Sequence, residues 1–414
     1  MAFAPLRHRN YALVWTAGLI SNVGTWMETV AVGDLVAQRT GEAGWTALVA
    51  AAGFLPMGLL GPIGGAVADR LDRRRLLLAM TAAQMVCAAL LTALAATDRA
   101  SPAAVAVVVF GAGCVAGVGF PAYAAMLPDL VPDDQLLAAM SLSQAQWNLG
   151  RVVGPALAGV AIALGSYSAA FALNTLSFAA MLVALRLLRL ARRPPPTDDD
   201  GLWTRIAVGA RAARDEPGVR TAILMISVVA LTASPFIALI PAMARVRFDG
   251  ASSLTSWFVT AQGVGAVVGA LLLPVLAHRL GRFRMLELSL VLLPAALVLY
   301  GLAPTPVAAT VALLGVGATY MFVFSGIGTV VQLRAPAALR ARVLSCYFLA
   351  LGVLYPVGAT IQGPIADRIG LGRTTVLSGV VLVAVVGLLR VVRPERLAAL
   401  DDPRPERSPE AAPA

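Results

Sequence analysis

Glu28 and Arg151 stand near the middle of two long apolar runs. An ionisable side chain at hydrocarbon depth costs about 2.5–3.5 kcal/mol on insertion scales and marks a functional position. At about 100° per residue, Ser21, Thr25, Glu28 and Thr29 fall within one sector of the first run, with Asn22 at its edge. Ser141, Gln144, Asn148 and Arg151 share a sector of the second. Two such stripes either wall a watery cavity or join two helices by polar contacts. Facing each other, they bring Glu28 and Arg151 within pairing distance. A carboxylate that gains and loses such a partner can take up a proton on one side and release it on the other. Asp34 falls roughly opposite the first stripe and near its outer end, an interfacial position.

Two further groups carry a mechanical chemistry. The segment Gly65-Ala-Val-Ala-Asp69-Arg70-Leu71-Asp72-Arg73-Arg74-Arg75 separates the second and third apolar runs. Asp69 can sit against the positive end of a facing helix, worth about 0.3–1 kcal/mol. Arg70 and Arg73 to Arg75 can pair with Asp129, Asp133 or Asp134, which follow the fourth run. Such pairs latch one state and break in another; alternatively, the arginines only set topology. In Gly150-x-x-x-Gly154-Pro155-x-x-x-Gly159, small residues let two helix backbones approach closely, and Pro155 permits a bend. Gly113-x-x-x-Gly117 reads as packing alone.

These residues need a membrane to make sense. Of 414 residues, 59% are hydrophobic and only 13% charged, against roughly 25% charged in soluble domains. The apolar runs fall at 11–36, 46–68, 75–96, 102–126, 136–163 and 167–188, then 220–243, 254–277, 285–303, 306–331, 341–365 and 374–392. The long interruption between the sixth and seventh holds Pro194 to Pro196 and Asp198 to Asp200. The expected organisation is a six-helix bundle over 1–188, a central cytoplasmic loop over 189–219, a second bundle over 220–392 and a disordered tail over 393–414. Within the loop, Trp203 to Arg214 should form an amphipathic helix on the inner leaflet, with Trp203, Ile206, Ala207, Ala210 and Ala213 on one side.

All 32 basic residues are arginine, and their placement sets orientation. Arg39, Arg99, Arg245, Arg247, Arg368 and Arg373 fall on one side, Arg151 lies in mid-span, and the rest gather at the other ends. The positive-inside rule then puts both termini in the cytoplasm. Given this pattern, the net charge of +10 is no sign of nucleic-acid binding. His8 and His278 are far apart, and Cys87, Cys114 and Cys346 all lie in apolar runs, so neither a metal site nor a disulfide framework is expected. There is no nucleophile motif or phosphate loop, which speaks against an enzyme, and no cofactor is implied.

The halves repeat. A shift of 204 residues sets Pro132 on Pro336, Ser141 on Ser345, Gly154 on Gly358 and Gly159 on Gly363. A shift of 209 matches five of eight positions between Ala68–Arg75 and Ala277–Arg284, with His278 in the place of Asp69. The counterparts of Gln144, Asn148 and Arg151 are Phe348, Gly352 and Tyr355. One cavity wall would therefore be polar and the other, through Phe348 and Tyr355, aromatic, which suits an amphiphilic organic solute.

The Gly65–Arg75 segment resembles the signature loop of the major facilitator superfamily, with Asp72 where the general pattern has glycine. Ile20 to Met27, Asn148 to Pro155 and Gly209 to Pro217 look like its enterobactin-exporter-like and multidrug-efflux-like branch. The resemblance covers nearly the whole chain. It implies an all-α membrane protein of twelve transmembrane helices in two pseudo-symmetric six-helix bundles. It further implies a monomeric secondary transporter in the cytoplasmic membrane that exports a small molecule, such as a siderophore, antibiotic or drug-like compound, in antiport with protons. Gly65, Asp69, Arg70, Arg73 and Asp129 would gate it. Asn22, Thr25, Glu28, Gln144, Asn148, Arg151, Phe348 and Tyr355 would line the cavity. Gly150, Gly154, Pro155 and Gly159 form an antiporter-type packing motif. Many proton-coupled relatives carry an arginine in the fourth span, which lacks one here, and related exporters carry glutamine where Glu28 stands. Glu28 is then the substitute proton carrier. A proton-coupled uptake symporter is the alternative within transporters.

Overall fold

The structure, a computed structural model, describes residues 3–188, 202–336 and 339–401. Its first half holds α1 (Arg9–Thr40), α2 (Ala43–Arg70), α3 (Arg73–Ala96), α4 (Pro102–Met126), α5 (Leu136–Leu164) and α6 (Tyr167–Leu187). After α7 (Leu202–Asp215) come α8 (Pro217–Thr232), α9 (Phe236–Ala242), α10 (Ser252–Leu280), α11 (Arg282–Leu302), α12 (Pro306–Arg334), α13 (Arg340–Ile369), α14 (Leu371–Val392) and α15 (Pro394–Ala398). The segments 189–201 and 402–414, including the Pro-Asp stretch, lie outside the described residues; the start of the tail, expected to be disordered, instead carries α15, with Leu397 and Leu400 buried and Arg334 donating to the Ala399 carbonyl at 2.6 Å.

Eleven described segments are long and apolar enough to cross a membrane. The 32-residue α1 completes the twelve: it is long enough, but Asn22, Glu28 and Asp34 interrupt its apolar sequence. Several helices start where the sequence supplies a cap. Ser101 precedes Pro102, Thr305 precedes Pro306, and Glu216 precedes Pro217; each side chain accepts a bond from a first-turn N–H. Asp72 accepts from the Arg75 N–H at 2.9 Å and so caps α3. The departure from the superfamily's glycine is thus a helix start.

The seventh span is not continuous as the periodicity over 220–243 predicts. α8 stops at Thr232, α9 resumes at Phe236, and a π-helical turn occupies Met243–Arg247. Pro235 and Pro241 each remove a backbone donor and account for the interruption. The span extends far enough to carry Arg245 and Arg247.

Pseudo-symmetry appears in the packing. A Cβ on Gly154 would lie 2.6 Å from the Trp26 Cβ on α1, and one on Gly358 would lie 2.3 Å from the Leu231 carbonyl oxygen on α8. One turn further, Gly159 abuts Ser256 on α10 while Gly363 abuts Gly44 on α2. The same glycine pair therefore closes a contact within its half and then a contact between halves. α5 against α10 and α2 against α13 form the two seams that join the halves.

α7 forms where the sequence predicts an amphipathic helix, but it docks on α13 rather than resting on lipid alone. Gly209 lies against the Arg342 backbone, and Gly209 and Ala213 are buried. Ala210, expected on the apolar side, is exposed. The flat surface at Gly209 draws the helix onto its neighbour and narrows the buried face. The Trp203 side chain lies outside the described residues.

Candidate functional site

Arg151 projects from α5 at the seam with α10. Its Nη2 donates to Gln262 Oε1 at 2.8 Å, and its guanidinium carbon lies 5.8 Å from the Trp26 ring centroid on α1. Trp26 and Trp147 meet edge to face at 5.8 Å, and Trp147 meets Phe120 of α4 at 6.1 Å. α1, α4 and α5 thus gather an aromatic wall around a cation that has no ion-pair partner among the described residues. Across the seam, Tyr320 of α12 hydrogen-bonds Ser234 at 3.0 Å, and Tyr347 of α13 stacks edge-on against Phe348 at 5.3 Å.

The predicted cavity residues separate into two groups. Thr25, Gln144 and Phe348 are exposed, and Asn148 is half-buried, donating to the Gln144 carbonyl of its own helix at 2.9 Å. Tyr355 is buried in the α2–α13 seam, 5.3 Å edge-on from Phe54. Asn22 does not present its amide to open space: Nδ2 donates to the Gln146 carbonyl at 3.0 Å and the Trp147 carbonyl at 3.3 Å, tying α1 to α5.

Glu28 and Arg151 do not pair in this structure. Glu28 Oε2 instead accepts from Asn174 Nδ2 of α6 at 2.7 Å. Glu28 lies one helical turn beyond Gly24, whose face packs on Asn174 and Ser177, so both point into the first bundle. The helical wheel placed Glu28 beside Thr25; it misjudged which edge of that sector the neighbouring helix covers.

Asp34, expected at the interface, is fully buried. Arg245 donates to it twice, from Nε to Oδ1 at 2.8 Å and from Nη2 to Oδ2 at 2.6 Å. The Tyr167 hydroxyl donates to Oδ2 at 2.6 Å, and the Thr255 hydroxyl donates to Oδ1. Arg245 also reaches Ser252 and the Gly250 carbonyl. This network joins α1, α6, the π turn and α10, and so joins the two halves. On the same face, Asp367 of α13 accepts from the Ala43 and Gly44 N–H groups at 2.6 and 2.8 Å. The described bonds that cross between halves concentrate from mid-membrane to the face opposite the termini. Sequence reasoning missed the latch, although one signal was available: two opposite charges, Asp34 and Arg245, each near the same end of an apolar run.

At the other face, Arg73 donates to Asp129 at 2.8 Å and to the Ala125 carbonyl at 3.0 Å, tying α3 to the end of α4. Arg74 closes the α6 C-terminus through the Leu185 and Arg186 carbonyls, both at 2.7 Å. Arg70 is exposed. A Cβ on Gly65 would meet nothing within 4 Å, whereas Gly64 packs against Gly117 of α4. Asp69 occupies the last turn of α2; its side chain lies outside the described residues, as does that of Asp133. Gly150 packs on Asn22 and Pro155 is buried.

Twelve spans in two pseudo-symmetric halves, with polar and aromatic side chains gathered where the halves meet, match the architecture of major facilitator superfamily transporters. Known proteins agree. Among relatives, macrolide efflux protein A of Streptococcus pyogenes is 23% identical, over 90% of this chain and 93% of its own. The multidrug efflux pump Tap of Mycolicibacterium fortuitum is 28% identical, over 94% and 96%. Among solved structures, a POT family transporter in complex with 5-aminolevulinic acid superposes with a TM-score of 0.75 at 11% identity, covering 94% of this chain and 96% of its own. A bacterial homologue of the lysosomal transporter Spinster, inward-facing and unoccupied, gives 0.70 at 15%, over 95% and 97%. These two show the fold. The chain belongs to the transmembrane secretion effector family, whose model matches residues 1–411.

Proposed function

We propose that this transporter exports a small amphiphilic molecule, of the antibiotic, siderophore or drug-like class, by alternating access in antiport with protons. The observation that carries the reading is the cross-half latch of Asp34, Arg245, Tyr167 and Thr255, set apart from a polar and aromatic region at mid-depth. A latch on one face and a recognition region beneath it are the two parts alternating access requires. The efflux relatives support export over uptake.

In this reading the protein sits in the cytoplasmic membrane as a monomer with both termini inside, and the latch seals the outer face. The bundles span 1–188 and 220–392, joined by the loop 189–219 and followed by the tail 393–414. Thr25, Gln144, Asn148, Arg151 and Phe348 face the cargo, while Asn22 and Tyr355 hold the walls in register. Gly65, Asp69, Arg70, Arg73 and Asp129 rearrange at the inner gate. Gly150, Gly154, Pro155 and Gly159 form the surface on which α1 and α10 move. Glu28 carries the proton, exchanging its Asn174 bond for a wetter setting as the bundles rock.

Everted vesicles under an imposed pH gradient, acid inside, test this against siderophores, dyes and antibiotics. Proton-driven accumulation inside them supports export; proton-driven depletion of preloaded cargo would indicate uptake.

A further inference from the structure

Three hydrogen-bond donors gather at the junction of α1, α5 and α10 with no carboxylate among them. Among the described residues Arg151 makes one hydrogen bond, to Gln262 Oε1, and no ion pair. Arginine can only donate, so the Gln262 oxygen must face it, which leaves the amide NH2 beside that contact and free to donate elsewhere. Gln262 is 1% exposed, and its Nε2 reaches no acceptor among the described residues. The buried Nε1 of Trp26 is in the same position. The Arg151 guanidinium carbon lies 5.8 Å from the Trp26 ring centroid and its Nη2 lies 2.8 Å from Gln262 Oε1, so the three donor side chains adjoin one another.

The carboxylates of α1 are engaged elsewhere, Glu28 with Asn174 and Asp34 with Arg245. A buried donor without an acceptor is costly, and a charged one more so. Trp147 and Phe120 extend the wall as flat apolar surface beside the donors. The same aromatic cluster would attract a cation by its ring faces, but Arg151 already stands over Trp26 and repels one.

We infer that Arg151, Gln262 and Trp26 form the subsite for an anionic head group, a carboxylate or comparable oxyanion, on the transported amphiphile. The inference rests on the reading of the chain as an amphiphile exporter and adds the charge of the cargo. The head accepts from the guanidinium, the Gln262 amide and the indole N–H, while the apolar body lies along Trp147 and Phe120. Arg151 belongs to the first half and Gln262 to the second, so a bound anion bridges the halves and biases their relative position.

The test uses the full-length protein in lipid nanodiscs and three matched probes: 1-naphthoate, neutral 1-naphthamide and 1-naphthylmethylammonium. Calorimetry should rank naphthoate at least about tenfold tighter than the cation, the scale of one charge-assisted hydrogen bond. Arg151→Gln should weaken naphthoate about tenfold or more and naphthamide markedly less, and a thermal unfolding midpoint near the parental value shows the variant is folded. Arg151→Lys should recover part of the loss. Trp26→Phe, which keeps the ring and removes the N–H, should weaken naphthoate about three- to tenfold. Equal binding of anion and cation, or naphthoate binding indifferent to both Arg151→Gln and Trp26→Phe, would overturn the assignment. If vesicles export a neutral or cationic amphiphile while naphthoate does not bind, the anion subsite falls and the exporter stands. If no probe binds and no amphiphile is exported, both fall.

Discussion

Replacing Asp34 by asparagine isolates the outer latch. The carboxylate accepts from Arg245 at 2.8 and 2.6 Å, from Tyr167 at 2.6 Å and from Thr255. Asparagine keeps the shape but turns one acceptor oxygen into an NH2 group, so one guanidinium contact becomes donor against donor. Arg245, with a side chain only 14% exposed, loses its counter-charge. Breaking one partner of a buried pair costs about 3–5 kcal/mol. The open state wets both groups and escapes most of that cost, so the penalty falls on the closed state. A net bias of about 3 kcal/mol changes the closed-to-open ratio by about 150-fold. Spin labels at Ala103 on α4 and Val307 on α12, both exposed near that face, report the separation of the halves in a background without Cys87, Cys114 and Cys346. The parent should give one distance population, and Asp34→Asn a second, longer one. Arg245→Gln should do the same. The double variant, which orphans no charge, should lie closer to the parent than either single one. Superimposable distance distributions for parent and folded Asp34→Asn would refute the latch.

Glu28→Gln should abolish pH-gradient-driven transport and keep downhill counterflow, measured with one cargo in proteoliposomes; a parental gradient-driven rate would reduce Glu28 to its bond with Asn174. Gly154→Val should cost about 1–3 kcal/mol by overpacking, because even its Cβ meets Trp26 at 2.6 Å. Gly65→Ala, which meets open space, should leave the unfolding temperature near the parental value, and the reverse order of the two variants would contradict the packing. Asp72→Ala should cost about 1 kcal/mol of local stability at the start of α3, seen as faster hydrogen exchange at Arg75; unchanged exchange there would show that the cap contributes nothing.

Span number, bundle symmetry and the glycine motif were legible because they rest on periodicity and spacing. Gly154 and Gly358 stand 204 residues apart and do the same work in each half. Direction around a helix was less legible. The wheel grouped Glu28 with Thr25, but only the position of α6 decides that Glu28 turns inward to Asn174. Asn22 likewise looked like a cavity residue until the α5 carbonyls claimed its amide. The Asp34 latch depends on the π turn that brings Arg245 beneath α1, and a broken helix is hard to read from an apolar run. Trp26 and Gln262 carry no motif. The role proposed for them rests on α1, α5 and α10 leaving their donors without acceptors among the described residues.

The most direct test of the exporter reading measures cargo and proton flux together in proteoliposomes with a defined pH gradient. Antiport predicts that the two move in opposite directions at a fixed ratio, each stopping when the other is removed. Flux in the same direction, or cargo movement indifferent to the gradient, would contradict it.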